Sequence, residues 1–225
     1  MGFMQLLALD TSLTACSVAL WRDNNVVASE RLPMAKGHAE ALVPMIQRVC
    51  AQANTDPGAL TAIGVTRGPG TFTGIRIGLA TARGLALATG CPVIGVSTLV
   101  AIAATAALPP DPAATLVVQD ARRGEVYAEL VPDDATHGAG PRVLAVNDLA
   151  DGFPVRPLRL VGSGADLAAE RLAGEVVVAA REVLPDAAAV AALAVAALEA
   201  QGPAASATPP GPLYLRAPDA KLPTR

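Results

Sequence analysis

The residue best placed for phosphate chemistry is Asp10, which closes the first apolar run of the chain and precedes Thr11 and Ser12. A carboxylate at the end of a strand can hold a magnesium-bound phosphate. Asp120 opens a similar turn in the second half of the chain. A phosphate loop normally offers glycine for close approach of the backbone, whereas Leu13 follows Ser12 here. We therefore interpret Asp10, Thr11, Ser12 and Asp120 as a vestigial nucleotide site, and a phosphoryl-transfer enzyme that uses Asp10 is the alternative.

A glycine-rich turn at residues 67–74 is a second candidate for anion binding, because it joins an apolar run to a helical pattern. Backbone N–H groups at such a junction can hold a phosphate. The turn lacks the lysine of a P-loop, and Thr73 stands where the dinucleotide fingerprint requires glycine. We therefore favour a tight turn in which Thr71 or Thr73 caps the helix.

The sequence offers few residues for a metal site or for nucleophilic catalysis. The chain has two histidines, His38 and His137, and no HExxH spacing, so a three-histidine zinc site is excluded. It has no GxSxG nucleophile elbow, and a Ser-His-Asp triad would have to recruit one of the two histidines. We expect His38 to make a contact at the start of the first long helix. The sequence thus predicts no metal, no cofactor and no catalytic residue.

Two long helical patterns, near residues 39–53 and 73–89, carry wide apolar faces. The second places Gly74, Gly78 and Ala82 four residues apart. Glycine inside a helix costs about 1 kcal/mol relative to alanine, which favours close approach of another backbone. Packing on the chain's own sheet and a contact between subunits both remain open. The candidate interface residues are His38, Leu42, Met45, Ile46, Val49, Arg76, Gly78, Leu79, Ala82 and Arg83.

The order of the apolar runs predicts an α/β fold in two lobes. Residues 1–108 are predicted to form a βββαβαβα lobe whose first three strands are antiparallel. A proline-rich break at 109–112 marks the boundary, and residues 109–201 are predicted to form a smaller second lobe. Residues 202–225 have the Pro, Ala and Gly content of a tail, with a docking Leu-Tyr-Leu segment at 213–215.

Composition narrows the classes of function further. The 225 residues are 52% hydrophobic and 16% charged, which excludes disorder over most of the length. The net charge of −3 argues against a stand-alone DNA- or RNA-binding protein. The longest apolar stretch, residues 187–198, is too short to span a bilayer, and the three cysteines are far apart. We expect a reduced, cytoplasmic protein without a secretory signal or a membrane anchor.

Several stretches together resemble the TsaB family. The most specific is the glycine-rich turn with the start of its helix, and the likeness spans nearly the whole chain. The resemblance implies a two-lobe, actin-like ATPase (ribonuclease-H-like) fold with mixed sheets flanked by helices. The stretches that carry it are residues 6–12, 15–20, 37–40, 42–46, 68–78, 95–99, 120–127 and 212–216.

The resemblance also implies a function. Members of the family are non-catalytic subunits that bind the enzyme TsaD and are required for threonylcarbamoylation of the tRNA adenosine next to the anticodon. The implied partners are a TsaD-like subunit, a TsaE-like ATPase in the complex, a second copy of the chain when it is alone, and tRNA only through the complex. Pairing in the family uses the first two long helices, and TsaD holds its metal through paired histidines where this chain has only His38. The alternative is an actin-like-fold ATPase or small-molecule kinase that uses Asp10.

Overall fold

Two mixed five-stranded sheets form the frame of the computed structural model, which describes residues 4–109, 113–132, 137–155, 157–201 and 209–216. The first sheet has the order β3-β2-β1-β4-β5, in which β1, β2 and β3 are antiparallel and β1, β4 and β5 are parallel. Its strands are β1 (Gln5–Asp10), β2 (Ala15–Arg22), β3 (Asn25–Pro33), β4 (Ala62–Thr66) and β5 (Val93–Val96).

The second sheet repeats the topology of the first. Its order is β10-β9-β6-β7-β8, with β6, β7 and β8 antiparallel and β6, β9 and β10 parallel. Its strands are β6 (Ala114–Arg122), β7 (Glu125–Val131), β8 (Arg142–Ala145), β9 (Leu158–Val161) and β10 (Val176–Ala180). Two sheets of the same topology in one chain give the two-lobe, actin-like α/β fold that the sequence predicts.

Six helices of the described residues complete the fold. They are α1 (His38–Gln52), α2 (Phe72–Thr89), α3 (Thr98–Ala106), α4 (Leu149–Gly152), α5 (Ala165–Ala169) and α6 (Ala187–Gln201), with short 3-10 turns at Pro57–Ala59 and Val146–Asp148. The predicted element order over residues 1–108 agrees with the structure. Helix α4 and both 3-10 turns are too short to show a helical period, and the sequence did not predict them. None of the helices in these ranges combines the length and the hydropathy that crossing a bilayer needs.

The side-chain alternation of β1 shows how the layers are built. Leu7 and Leu9 pack in the cluster formed with α1 and α2, whereas Leu6 and Ala8 pack in the cluster formed with α6. Both sets are fully buried, because successive side chains of a strand point to opposite faces of the sheet. Helices therefore cover both faces of the first sheet.

The two lobes exchange helices across the predicted boundary. Helix α3 precedes the predicted boundary but packs on the second sheet, and α6 lies beyond it but packs on the first sheet. Helices α3 and α6 also pack on each other, so one core cluster joins the two sheets. Residues 110–112 of the predicted break, and 202–208 and 217–225 of the predicted tail, lie outside the described residues.

The many alanines of α6 allow this helix to pack closely on the first sheet. A Cβ on Gly64 of β4 would stand 2.9 Å from the Cβ of Ala194 of α6, which is closer than such atoms normally approach. Ala187, Ala191 and Ala194 are all buried against the sheet. Small side chains on the helix and a glycine on the strand together allow the close approach.

Candidate functional site

Asp10 ends β1 inside the core, and its carboxyl group is fully buried. Its Oδ1 accepts hydrogen bonds from the backbone N–H of Ser12 at 3.1 Å and from the hydroxyls of Ser12 and Thr66, both at 2.6 Å. Its Oδ2 has no hydrogen-bond partner among the described residues. Burial raises the pKa of Asp10, against the lowering effect of the hydrogen bonds from Ser12 and Thr66. The structure thus brings Asp10 and Ser12 together and adds Thr66, which sequence analysis did not single out.

The glycine-rich turn closes over the β1–β2 hairpin. The backbone N–H of Thr71 donates to the carbonyl oxygen of Ser12 at 2.8 Å, and the hydroxyl of Thr11 donates to the carbonyl oxygen of Gly74 at 2.7 Å. Thr71 also caps α2 by accepting a bond from the Gly74 N–H, as predicted. A Cβ on Gly70 would lie 2.5 Å from the Ser12 carbonyl oxygen. Thr11 and Ser12 are buried in this arrangement.

Asp120 lies in the corresponding hairpin of the second sheet. Its carboxylate accepts bonds from the backbone N–H and the guanidinium of Arg122, at 2.7 and 3.1 Å, and its own backbone N–H donates to the Ser163 hydroxyl. The neighbouring glycines are also used for packing, because a Cβ on Gly162 would collide with the carbonyl oxygen of Val118. Asp120 therefore forms a local ion pair at its turn.

His38 begins α1 and makes the predicted contact at the start of the helix. Its Nε2 lies 3.0 Å from the carbonyl oxygen of Leu13, in the β1–β2 hairpin. A carbonyl oxygen can only accept, so Nε2 is the donor. Within the described ranges, no group of three or more His, Cys, Asp or Glu side chains is placed to hold a metal ion.

Most of the predicted interface residues point into the chain's own core. The wide apolar stripes of α1 and α2 are the faces that pack on the first sheet, where the hydrophobic gain of burial is largest. A sequence pattern identifies such a stripe but does not tell what covers it. The buried residues are His38, Leu42, Met45, Ile46, Val49, Gly78, Leu79 and Ala82.

The glycine spacing of α2 serves the same internal packing. A Cβ on Gly78 would stand 2.7 Å from the hydroxyl oxygen of Thr11, and a Cβ on Gly74 would collide with the Thr11 carbonyl oxygen. Gly84 differs from both, because no atom lies within 4 Å of the position that its Cβ would take. The first two glycines allow the hairpin to approach, whereas Gly84 lies on the surface.

Helices α1 and α2 leave several apolar or small side chains exposed among polar ones. We call this surface the outward face and define it by Val43 and Gln47 of α1 and by Ala80, Gly84 and Leu87 of α2, all exposed. Leu87 is 90% exposed and Val43 is 50% exposed. An exposed leucine on a helix whose opposite side is already packed marks a possible contact surface. The apolar all-round pattern of α2 was the sequence signal for it, although the residues chosen from that pattern belonged to the other side.

Arg76 and Arg83 are exposed but contact the C-terminal segment. The Nε of Arg76 donates to the Tyr214 hydroxyl at 2.7 Å, and Arg83 donates to the carbonyl oxygen of Pro210 at 2.8 Å. The backbone N–H of Leu213 donates to the Arg67 carbonyl oxygen at 2.7 Å. The Leu-Tyr-Leu segment therefore lies against the glycine-rich turn and the adjacent side of α2.

Comparison with protein families gives a match over most of the chain. The family described as "TsaD: tRNA N6-adenosine threonylcarbamoyltransferase" matches residues 32–222. The chain is 44% identical over 124 residues to the tRNA threonylcarbamoyladenosine biosynthesis protein TsaB of Escherichia coli, a match that covers 55% of this chain and 53% of that protein. The chain thus spans about half the length of the TsaB-named relatives that it matches.

Two further similarities extend over nearly the whole chain. An uncharacterized protein of Mycobacterium tuberculosis is 38% identical over 218 residues, which are 96% of this chain and 93% of that protein. The solved structure of YeaZ from Pseudomonas aeruginosa is 32% identical, with a TM-score of 0.80, and the match covers 94% of this chain and all of that one. The fold described above is therefore found in a solved relative.

Proposed function

Because the chain belongs to the TsaB proteins within the family of the TsaD tRNA N6-adenosine threonylcarbamoyltransferases, we propose that it acts in the biosynthesis of threonylcarbamoyladenosine in tRNA. In this proposal it is a non-catalytic subunit that binds a TsaD-like catalytic subunit. The TsaB-named relatives carry the first part of the proposal. The outward face of α1 and α2 carries the second part.

The outward face suits a helix-to-helix contact with a second polypeptide. Leu87 supplies a large apolar side chain that is almost fully exposed in the chain alone, and Val43 supplies a second one on the neighbouring helix. Ala80 and Gly84 are small, so a partner helix can approach the α2 backbone closely. Burial of an exposed leucine contributes about 2 kcal/mol, which makes Leu87 the best candidate for an anchor residue.

The geometry at Asp10 supports the non-catalytic part of the proposal. Asp10 is buried beneath a hairpin whose residues bond to the turn that precedes α2. Its pKa is raised by burial, which disfavours the anionic form that a magnesium ion would need. Neither Asp10 nor the ion-paired Asp120 offers an open carboxylate to a metal-bound nucleotide.

The remaining partners follow from the same assignment. The chain pairs with itself through the outward face when TsaD is absent, and it joins a complex that contains a TsaE-like ATPase. It meets tRNA as part of that complex, and it works in the cytoplasm, where tRNA is modified.

A reconstituted reaction tests this proposal. An unmodified tRNA transcript is incubated with a threonylcarbamoyl donor, ATP, the cognate TsaD-like subunit and the TsaE-like ATPase, with or without this chain, and the modified adenosine is measured by mass spectrometry. The proposal predicts modification only when this chain and the TsaD-like subunit are both present, and none with this chain alone. Modification by this chain alone, or equal modification without it, would contradict the proposal.

Titration with Mg-ATP discriminates the alternative, an ATPase or small-molecule kinase that uses Asp10. The proposed function predicts no binding in the micromolar range by the isolated chain. Micromolar binding that disappears in Asp10→Asn would favour the alternative. Because asparagine keeps the shape of a protonated aspartate, loss of binding would then report the loss of the carboxylate.

A further inference from the structure

Two exposed aromatic rings and an arginine form a stack at the start of α2. The ring centroids of Phe72 and Tyr214 are 5.2 Å apart at an angle of 26° between the ring planes, and the guanidinium carbon of Arg76 lies 3.5 Å from the Phe72 centroid. Phe72 is nevertheless 50% exposed and Tyr214 is 41% exposed. Half-exposed rings held in a fixed stack offer a π-surface to a flat ligand.

Further arginines continue this surface along the C-terminal segment. Arg83 contacts Pro210, whereas Arg216 donates to the carbonyl oxygens of Ala121 and Arg122 in the β6–β7 hairpin. Seven Cα–Cα steps join the ends of the segment 209–216, so it spans at most about 25 Å. We call this the aromatic–arginine surface and define it by Phe72, Arg76, Arg83, Arg122, Tyr214 and Arg216.

The surface is positively charged although the whole chain is not. It contains four arginines, and among the described residues the ion pairs to them come from Asp120, paired with Arg122, and Glu125, paired with Arg216. Neither α2 nor the segment 209–216 contains an acidic residue. The net charge of −3 is therefore located elsewhere, and the local field favours an anionic ligand.

We propose that the aromatic–arginine surface binds unpaired nucleotides of RNA, with a base stacked on the Phe72–Tyr214 pair and the backbone phosphates contacted by the arginines. Aromatic rings interleaved with arginine bind single-stranded nucleic acid in this way, since every base offers a π-face. The surface adjoins the outward face. At about 100° per residue, Leu87 lies between Arg76 and Ala80 around the axis of α2, so the two surfaces share one exposed side of the helix.

This inference rests on the proposed function, since it assigns to the subunit a contact with the RNA that the complex modifies. It differs from the protein contact in its chemistry. A protein partner gains from the aliphatic outward face, whereas the aromatic–arginine surface offers charge and flat rings. The two contacts are therefore distinguished by their ligands, RNA for one and the TsaD-like subunit for the other.

Fluorescence anisotropy at low ionic strength tests the inference, because phosphate contacts weaken steeply with salt. The ligands are a fluorescein-labelled RNA hairpin with an unpaired loop and a fully paired RNA of equal length. Phe72→Leu should weaken binding of the looped RNA about tenfold, the size expected for one stacking contact, and should leave binding of the paired RNA unchanged. Phe72→Tyr should bind the looped RNA like the wild type, and Arg76→Glu should bind both RNAs more weakly.

Arg171→Glu is the matched control, because it makes the same charge change at an exposed position in the second lobe. It should bind both RNAs like the wild type. Circular dichroism melts of each variant establish that the fold is retained. Equal binding of looped RNA by Phe72→Leu and wild type, or no binding of looped RNA by the wild type at low salt, would overturn the inference.

Co-elution of the same variants with the TsaD-like subunit separates the two proposals. If Phe72→Leu loses RNA but retains TsaD, both proposals stand. If Phe72→Leu loses TsaD, the surface is a protein contact and the RNA inference is wrong. If wild-type chain binds looped RNA but never TsaD, the proposed function fails while the RNA surface remains.

Discussion

The hydroxyl of Thr11 donates a hydrogen bond of 2.7 Å to the backbone carbonyl of Gly74. This bond ties the hairpin between β1 and β2 to the first turn of α2. Because the carbonyl oxygen of Thr11 occupies the space that a Cβ on Gly74 would need, only glycine allows the two backbones to come so close. The contact fixes the position of α2 on the sheet and, with it, the directions in which Arg76 and Leu87 point.

Three glycines of α2 are expected to respond differently to replacement by alanine. Gly84→Ala should raise the free energy of unfolding by about 1 kcal/mol, because the added Cβ meets no atom and the helix gains propensity. Gly78→Ala should lower it by about 1–3 kcal/mol through overpacking against Thr11, and Gly74→Ala should lower it further. Urea denaturation measures all three. A stabilised Gly78→Ala variant would show that the hairpin does not press on the helix.

Asp10 is expected to make stability depend on pH. Burial raises the pKa of the folded-state carboxyl above its ordinary value of 3.8, so the unfolded chain loses this proton at a lower pH than the folded chain does. Stability from this group is fully present below pH 3.8 and is lost as the pH rises through the folded-state pKa. As the pH rises through the folded-state pKa, the free energy of unfolding of Asp10→Asn should therefore increase relative to that of the wild type. Urea denaturation at a series of pH values tests this, and a difference that stays constant with pH would contradict it.

Cys16 is expected to be unreactive in the folded chain. It is fully buried in β2, and burial raises the pKa of its thiol to about 11. The thiolate that attacks an alkylating reagent is therefore scarce at pH 8. Mass spectrometry after brief treatment with iodoacetamide should find Cys16 unmodified in native protein and modified in urea. Rapid modification of the native chain would show that β2 opens readily.

The packing of α6 on the first sheet can be tested with a pair of small residues. Gly64→Ala should destabilise the chain, because its new Cβ would stand 2.9 Å from that of Ala194. Ala194→Gly costs about 1 kcal/mol through helix propensity alone but removes the clash. The double variant should therefore be more stable than the sum of the single effects predicts, in a double-mutant cycle measured by urea denaturation. Additive effects would place α6 away from β4.

Local patterns in the sequence were sufficient to predict most helices and strands of the first lobe. The first three strands are antiparallel, as predicted, and β2 and β3 are joined at Asp23 and Asn24, which adopt the positive φ angles of 49° and 62° that such a two-residue turn requires. The helical spacing of Leu42 and Val49 likewise predicted α1. These features depend on residues close in sequence, so the pattern contains the information.

The exchange of helices between lobes could not be predicted in this way. Helix α6 is alanine-rich on nearly every side, and its sequence has no pronounced apolar face that would indicate which sheet it covers. Its packing depends on Gly64, which lies far away in the sequence. The partner of a helix is a long-range property that periodicity does not encode.

The sequence grouped the residues of the candidate site, but it did not show which side of α1 and α2 faces solvent. The sequence placed Asp10, Thr11 and Ser12 together, and the structure adds that the turn at 70–74 seals them. For α1 and α2 the wide apolar stripe suggested a partner, whereas the structure places that stripe on the sheet and leaves Leu87 outside. Burial within the chain and burial by a partner produce the same pattern of residues.

The most direct test of the account measures the affinity of the chain for its cognate TsaD-like subunit by isothermal titration calorimetry. Leu87→Glu is the test variant and Val177→Glu is the control, since both replace an exposed apolar residue without disturbing the core. The account predicts that Leu87→Glu weakens binding at least about tenfold, as expected for an anchor residue, and that Val177→Glu binds like the wild type. Unchanged affinity of Leu87→Glu for TsaD would contradict the claim that the chain acts through the outward face of α1 and α2.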